Sequence, residues 1–588
     1  MRAARMGKVS EVVLEKLRYL SLSEETMKNM MDCGVLTVGG FVQFTAEVDM
    51  LYAECLVCLN KLVRKYEQLQ INTVYDATKK KFYWARMAPE HVHTTADLGT
   101  LSETEAQSRF NDIVKEGIKD GGPIWKFFFA KVSAEQCSST KAVVSSKNTS
   151  SSMTSSGAAS ADITSSDVRS RGVECERYAF SSSKKQWGVG NDGFQQQQQQ
   201  HRYIIFFVLS HALVDGIGMM TIVRDFSTFV CQMLERKKIH LSDVTSQEED
   251  ESEALKMCPP YEQLVPNLRM YKVACYPLCL MSDIGIRILF KFRCVPTASH
   301  SLFNSTRLKP LTREGSGGGE CRLRTECIRF TPEEWTNFQK FRRQNGLTVT
   351  GLGLALFGVA LMKYAYEGLN WPRTYLGAHV LRDPRLYFKK GHLDPGALVG
   401  NYIAAGLLLV LPFVRKEKKK PVRKIVTDTA TLITQQIRGN FKNFGAFFNG
   451  ELQSRISRNR KLVERAVDMF SNDKRSEGRF AMIQFSNVGE VNCLDPELCG
   501  DYRAVQVEKS IGVADQSKCG DCFCLILATV QGSLFWSIGY PGHLYSEETV
   551  RALGQELKQL WTEVIQPDPD LPQQSDNSSA SVNNFTGS

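Results

Sequence analysis

Apolar residues recur along the chain at two spacings, which predict strands and helices. The unbroken apolar run at 203–209 is typical of a strand buried on both faces. Residues 49–66 instead carry Leu51, Cys55 and Leu62 at helical spacing, which predicts an amphipathic helix. Because strands and helices interleave in both halves, the pattern predicts a mixed α/β class. Further strands are expected at 37–47, 69–74, 81–86, 127–132, 321–330, 374–380, 398–411, 480–485, 523–531 and 533–540, and helices over the first thirty residues and at 218–234, 422–437 and 546–564.

Composition separates this ordered pattern from stretches that cannot form a core. Residues 133–200 are rich in Ser, Thr, Ala and Gly and end in consecutive glutamines at 195–200. Such a stretch buries too little apolar surface to offset the entropy of ordering it, so we expect a disordered insertion between two neighbouring strands. The glycine-rich run at 315–319 predicts a linker. The expected organisation is a first half at 1–300, a linker at 301–320, a second half at 321–565 and a disordered tail at 566–588.

Two apolar stretches, 347–366 and 397–414, are about as long as a membrane span. The first contains Lys363 and the second Asn401, so we interpret them as a core helix and a core strand and expect no transmembrane segment. No apolar run follows the basic N-terminus, which argues against a signal peptide. The 17 cysteines are odd in number and scattered, which favours a reducing, cytoplasmic location.

Charge and cysteine spacing give little support to two other function classes. The net charge of +10 is mild for 588 residues, and its densest basic run, 415–420, is short, so no nucleic-acid partner is expected. The charge is compatible with the phosphates of a nucleotide cofactor. Cysteines at 55 and 58, and at 519, 522 and 524, could suggest zinc. The second group leads into a predicted strand, whose alternate side chains point to opposite faces, so we expect no metal.

The segment S-H-A-L-V-D-G at 210–216 carries the candidate chemistry, because it directly follows a buried strand. His211 has the side chain whose ordinary pKa lies nearest neutrality, which suits a general base. Asp215 could orient the imidazole or pair with a distant cation, and Gly216 would permit a turn closed to residues with side chains. The alternative is a partly buried histidine and an aspartate that caps the helix from 218.

This segment resembles the motif of the HxxxD acyltransferases, which include chloramphenicol acetyltransferase, peptide-synthetase condensation domains and alcohol acetyltransferases. Ser210 stands where condensation domains carry the first of two histidines, which points away from peptide synthesis. The resemblance implies two related α/β halves that form a central tunnel. The motif histidine would lie at its middle, reached by CoA from one face and by the acceptor from the other.

Weaker matches follow in the family's order. Arg382 sits where the family places the arginine that pairs with the motif aspartate, and the segment at 485–489 resembles the S-N-x-G segment of the alcohol acetyltransferase-like branch. The resemblance implies that His211 is the base and that Asp215 is structural. It also implies that Ser486 or Asn487 donates a hydrogen bond to the oxyanion. Other matching segments lie at 38–66, 122–126, 346–360 and 399–403.

The resemblance implies transfer of an acyl group, such as acetyl, from CoA to a small alcohol or amine, with oxygen favoured over nitrogen. Acyl-CoA would be a co-substrate. Two alternatives stay open. One is a wax-ester or diacylglycerol synthase-like O-acyltransferase, and the other is a catalytically silent acyltransferase fold that binds a ligand or a protein partner.

Overall fold

Two sheets, built mainly from the two halves of the sequence, form the framework of the chain in the computed structural model. The structure describes residues 13–35, 37–118, 122–133, 200–239, 255–264 except 258, 302, 305, 307, 308, 311, 323–372, 374–383, 385, 388, 399–402, 404–413, 420–442, 460–473, 476–491 and 505–565. The strands are β1 (Val13–Tyr19), β2 (Val38–Ala46), β3 (Ile71–Asp76), β4 (Lys81–Met87), β5 (His93–Leu101), β6 (Trp125–Val132), β7 (His201–Leu209), β8 (Leu323–Phe330), β9 (Thr374–Arg382), β10 (Ala404–Phe413), β11 (Ile483–Val491), β12 (Val505–Ala514), β13 (Phe523–Val530) and β14 (Ser533–Pro541). The helices are α1 (Leu22–Asp32), α2 (Tyr52–Lys65), α3 (Glu103–Glu116), α4 (Gly216–Ile239), α5 (Tyr261–Leu264), α6 (Pro332–Gln344), α7 (Val349–Ala365), α8 (Val422–Lys442), α9 (Arg460–Ser471) and α10 (Glu547–Ile565).

The first sheet has the strand order β12-β2-β7-β6-β5. The apolar run of β7 is explained by helices on both faces of this sheet. Ile205 and Phe207 share a core with α2 and α4, whereas Ile204 and Phe206 pack with α3. The run therefore has no polar face, as the sequence predicted, and it ends beside the candidate motif.

The second sheet has the order β10-β9-β11-β13-β14-β8 and carries its own core. Helix α7, which the sequence predicted as a core helix, is almost wholly buried in that core. In the described part of the chain no single helix has the length and apolar character to cross a membrane. Helices α6 and α7 meet that test only as a pair, with a bend of 108° between them.

Strand β12 comes from the second half of the sequence but belongs to the first sheet. It pairs antiparallel with β2 from Val505↔Ala46 to Ala514↔Val38. The predicted second half, 321–565, therefore contributes one strand to the sheet of the first half. The two sheets cannot separate without breaking this pairing.

Several elements differ from the sequence prediction. The first thirty residues were predicted to be helical, but β1 is a strand because it pairs with β4. A helix follows it only from Leu22, where Ser21 forms a capping box with Glu24. No strand was expected at 93–101, but His93 opens β5 there and stacks on Trp125 at a ring separation of 4.4 Å.

The predicted insertion at 133–200 lies, apart from its two end residues, outside the described residues. So do residues 312–320 of the linker and the tail at 566–588. The strands that flank the insertion are antiparallel neighbours, as predicted, with Lys131 opposite Tyr203. Lys131 Nζ and Tyr203 Oη both contact Asp49 Oδ1, at 2.9 and 2.6 Å. The two strand ends are thus held together by contacts that lie outside the insertion.

Deleting residues 140–198 should leave the fold intact, because β6 and β7 are joined by their own ladder and by Asp49. We expect soluble protein with one cooperative thermal transition close to that of the full chain. Far-UV circular dichroism during heating measures this, and aggregation or a lost transition would contradict the insertion assignment.

Candidate active site

The motif forms a tight buried turn between β7 and α4. Ser210 N donates a hydrogen bond to the Ile124 carbonyl at 3.0 Å, which extends the sheet by one residue. Leu213 N and Val214 N then both donate to the Ser210 carbonyl, at 2.9 and 3.2 Å, and so close the turn. Ser210 Oγ also accepts from Ala212 N at 3.3 Å. The small hydroxyl side chain therefore stabilises the turn that presents the next residue.

His211 is held in one orientation and in one tautomer. Its side chain is almost wholly buried, and Nδ1 lies 3.1 Å from the Val214 carbonyl oxygen. Since a carbonyl only accepts hydrogen bonds, Nδ1 carries the proton and Nε2 keeps its lone pair. Burial lowers the pKa of His211, and the opposing charge of Asp215 offsets this only in part. The imidazole is thereby kept neutral, as a general base requires.

Helix α1 braces the motif from the N-terminal side. Met31 Sδ lies 3.1 Å from both His211 N and Ser210 Oγ. The thioether is a weak acceptor for both donors. No local pattern in the sequence indicates this contact, because residue 31 lies 180 positions from the histidine.

Asp215 is the centre of a buried junction with the second half of the chain. Its Oδ1 accepts from Gly218 N at 2.8 Å and from an Arg385 guanidinium nitrogen at 3.0 Å. Its Oδ2 accepts from the other terminal nitrogen of Arg385 at 2.8 Å and from Tyr402 N at 3.0 Å. Asp215 N in turn donates to the Gly400 carbonyl at 3.0 Å. The carboxylate is thus saturated and does not contact the imidazole through a hydrogen bond.

The predicted partner of Asp215 is corrected from Arg382 to Arg385. Arg382 is the last residue of β9, where its backbone pairs with Ala404, and its side chain lies outside the described residues. Arg385, three positions further, reaches back with a bidentate geometry and is 3% exposed. Spacing along the sequence could not distinguish two arginines that flank a strand end, because the choice depends on where the strand meets the motif.

Arg385 is itself enclosed. Burial opposes its charge, but the ion pairs with Asp215 and Asp383 outweigh that effect and raise its pKa. Its guanidinium also lies 4.6 Å from the ring centre of Tyr402, a cation–π contact. The arginine therefore stays charged at all accessible pH values and fixes Asp215 as its counterion.

The sequence assigned the special backbone to Gly216, but Gly218 is the glycine that the geometry requires. Gly216 begins α4 without a positive φ, and an added Cβ would lie at an ordinary 3.5 Å from Val488 Cγ2. At Gly218 a Cβ would lie 3.2 Å from Gly400 N and 3.3 Å from its carbonyl oxygen. The absent side chain there allows the start of α4 to approach the backbone of the second half.

The predicted oxyanion residues lie on β11, next to the start of α4. Val488 contacts Gly216, which places the segment beside the motif helix. The ladder with β13 shifts register between Asn487 and Gly489, and Gly489 has a φ of +87°. Asn487 Oδ1 accepts from Gly489 N at 3.2 Å, so this side chain serves the bulge, whereas Ser486 precedes it in regular register.

No group of three or more His, Cys, Asp or Glu side chains among the described residues is arranged to hold a metal ion. Burial raises the pKa of the thiols of Cys58, Cys519, Cys522 and Cys524 to about 12. We interpret them as core residues.

Comparison with solved structures identifies the fold. The structure is similar to trichothecene 15-O-acetyltransferase TRI3 from Fusarium sporotrichioides, with a TM-score of 0.58 and 11% sequence identity, over 94% of this chain and 96% of that one. It is also similar to the first condensation domain of the CDA synthetase, with a TM-score of 0.50 and 12% identity, over 94% and 97% of the two chains. No protein-family model and no curated protein sequence matches the chain. The chain thus shares its fold with an acetyltransferase and with a condensation domain, as the sequence resemblance implied.

Removing one partner of the Asp215–Arg385 pair should cost about 3–5 kcal/mol of unfolding free energy, because a buried charge loses its counterion. We expect Asp215→Asn and Arg385→Met each to destabilise the protein, and the double variant to be less destabilised than the sum of the two. Urea unfolding of the four proteins measures the coupling. Arg382→Met is the matched control, and additive losses for Asp215 and Arg385 would contradict direct pairing.

Proposed function

We propose that this chain is an acyltransferase that moves an acyl group from acyl-CoA to an alcohol acceptor, with His211 as the general base. The observation that carries the proposal is the hydrogen bond between His211 Nδ1 and the Val214 carbonyl, which leaves Nε2 as the basic atom. The fold supports the reaction class, since its solved relatives include an acetyltransferase.

The reaction is a direct transfer at a thioester carbonyl. Nε2 of His211 removes the proton of the acceptor hydroxyl as the oxygen attacks the carbonyl carbon, which gives a tetrahedral intermediate with one negative oxygen. Collapse of the intermediate re-forms the carbonyl and breaks the carbon–sulfur bond. The CoA thiolate leaves and takes the proton back from Nε2, so the imidazole ends neutral. A positioned base of this kind contributes about 10²–10⁴-fold in rate.

An alcohol fits this base better than an amine. An alcohol must lose its proton as it attacks, whereas an unprotonated amine is already a competent nucleophile. A buried, neutral imidazole with a fixed tautomer is suited to an alcohol, because the alcohol must lose a proton. This supports transfer to oxygen.

Asp215 acts in this proposal by holding the turn, not by exchanging protons. Its two oxygens already accept four hydrogen bonds, two of them from Arg385. Because these four hydrogen bonds occupy both oxygens, the carboxylate offers no acceptor position to the imidazole during turnover. Its loss would displace the base and separate the two halves at this point.

Ser486 is the better of the two candidates for the oxyanion donor. It lies on β11 between Phe485, which faces the core of the second sheet, and the bulge that Asn487 stabilises. Because side chains alternate along a strand, Ser486 points to the opposite face from Phe485. A hydroxyl donor there would stabilise the negative oxygen that develops in the intermediate.

His211→Ala should reduce acceptor-dependent thiol release by about 10²–10⁴-fold while the melting temperature changes little. The assay follows free CoA from acetyl-CoA and longer acyl-CoAs with a panel of alcohols and amines. His91→Ala, at an exposed histidine, is the matched control. Turnover that survives in His211→Ala would show that another residue is the base, and folded wild-type protein without turnover would favour a binding role.

The acid limb of the pH profile should lie below the ordinary imidazole value. Because burial lowers the pKa of His211, the base stays neutral as pH falls past about 6.5 and is lost only below that. We expect kcat/KM, which reports the free enzyme, to be constant above this value and to fall with a midpoint beneath it. A midpoint above about 6.5 would contradict a base desolvated by burial.

A further inference from the structure

The face of the second sheet opposite α7 carries a polar row that the proposed transfer step does not use. On β9, Ala378 and Val380 belong to the core around α7, so His379 between them points to the opposite face. On β11, Phe485 belongs to the same core, and Gln484 before it is the register partner of His379. His379 and Gln484 are therefore neighbours on one face.

This face lies against β12 and hence towards the first sheet. Cys524 of β13 is the register partner of both Gln484 and Gly539 of β14, so Gly539 lies on the same face. A Cβ added to Gly539 would lie 3.3 Å from Val513 Cγ2 of β12. The polar row thus borders the junction between the two halves, where the proposed substrates meet.

His379 is fixed by a buried carboxylate. Its Nδ1 lies 2.8 and 3.0 Å from the two oxygens of Asp521, so Nδ1 donates to the carboxylate. The Asp521 side chain is 4% exposed, whereas a quarter of the His379 side chain stays accessible. Asp521 is anchored in turn, because its backbone N donates to Gln516 Oε1 and its carbonyl accepts from Arg479.

Gln484 is buried without a protein partner. It is 7% exposed, and no hydrogen bond joins its carboxamide to another residue in the part of the chain that the structure describes. The amide nitrogen and oxygen are not themselves fully enclosed, so they are open to a molecule bound at the junction that this face borders. Such a molecule would supply the hydrogen bonds that the protein does not.

The row shares β11 with a residue that borders the start of the motif helix. Along β11, Gln484 is followed on the same face by Ser486, and the bulge then presents Val488 to Gly216 at the start of the motif helix. At the rise of an extended strand, Gln484 and Val488 are roughly 13 Å apart. A molecule bound between the halves could contact both ends of this segment of β11, which we call the strip.

Resting on the proposed function, we propose that Gln484, beside the His379–Asp521 pair, binds a second hydroxyl of the acceptor, remote from the hydroxyl that His211 deprotonates. A hydroxyl donates one hydrogen bond and accepts others, and a carboxamide offers both a donor and an acceptor. The acceptor class is thus a diol or polyol whose hydroxyls are separated by an apolar span. The strip selects the acceptor and leaves the transfer chemistry to His211.

Matched alcohol pairs test the proposal. The probes are unbranched primary alcohols and the α,ω-diols of the same chain length, from butane to tetradecane, each with acetyl-CoA. After correction for the two equivalent ends of a diol, kcat/KM should favour the diol roughly fivefold or more at the lengths that span the strip, and not at the shortest lengths. Gln484→Leu should abolish this preference, whereas the shortest alcohols, which do not reach residue 484, should still be acylated.

Gln555→Leu, the same substitution at an exposed glutamine of α10, should keep the preference. Gln484→Met is a second variant, whose side chain is closer in shape to glutamine than leucine is. Melting curves are recorded for both Gln484 variants. Transfer to simple alcohols with no diol preference at any length, or a preference that persists in folded Gln484→Leu, would overturn the proposal. Failure of both variants to fold would assign Gln484 to the core and overturn it too. If the wild type transfers acyl groups to no alcohol, the proposed function itself fails and this inference falls with it.

Discussion

The contact of Asp215 with Arg385, Gly218 N and Tyr402 N is the constraint on which the site depends. One carboxylate binds the start of α4, a cation after β9 and the backbone before β10, so three chain segments meet at one point. Such a pair contributes little net stability once the cost of desolvation is included, but it enforces a single geometry. The position of His211 relative to the second half follows from it, because only three residues separate His211 from Asp215.

This arrangement explains why histidine and aspartate occupy one motif without forming a relay. Four residues apart in a tight turn, the imidazole bonds inward to the Val214 carbonyl while the carboxylate points across to the other half. The hydrogen bond to the Val214 carbonyl fixes the tautomer of His211. The ion pair between Asp215 and Arg385 fixes where the motif turn lies against the second half. Separating these two tasks leaves the imidazole uncharged while a permanent ion pair lies close by. Burial, the largest influence on the pKa of His211, outweighs the charge of that carboxylate.

What the sequence could predict was local. The unbroken apolar run of β7, the helix expected at 422–437 and the strands expected at 523–531 and 533–540 each depend on neighbours within a few positions, and the structure confirms them. The partner of Asp215 was missed because it lies 170 residues away, and nothing within the motif distinguishes Arg385 from Arg382. The pairing of His379 with Asp521 was missed for the same reason, at a separation of 142 residues. Strand β12 has apolar residues at alternate positions that could have identified it as a strand, but no local signal assigns it to the sheet of the other half.

Strand β12, which the second half contributes to the first sheet, restricts how the two halves can move against each other. Its pairing with β2 is a full ladder, so the two sheets are joined by backbone hydrogen bonds at one place and by the Asp215 contact at another. Two attachments at different points resist both sliding and rotation, whereas either alone would allow a hinge. Gly218 then permits close approach to the backbone of Gly400, where a side chain would hold the halves apart. The proposed transfer must align a base, a carbonyl and an acceptor, and it would gain from such rigidity, because misplacement by about 1 Å costs roughly 10²-fold in rate. The same rigidity would suit β11 to the proposed recognition of a distant acceptor hydroxyl, since a polar row fixed between the halves can discriminate acceptors by length.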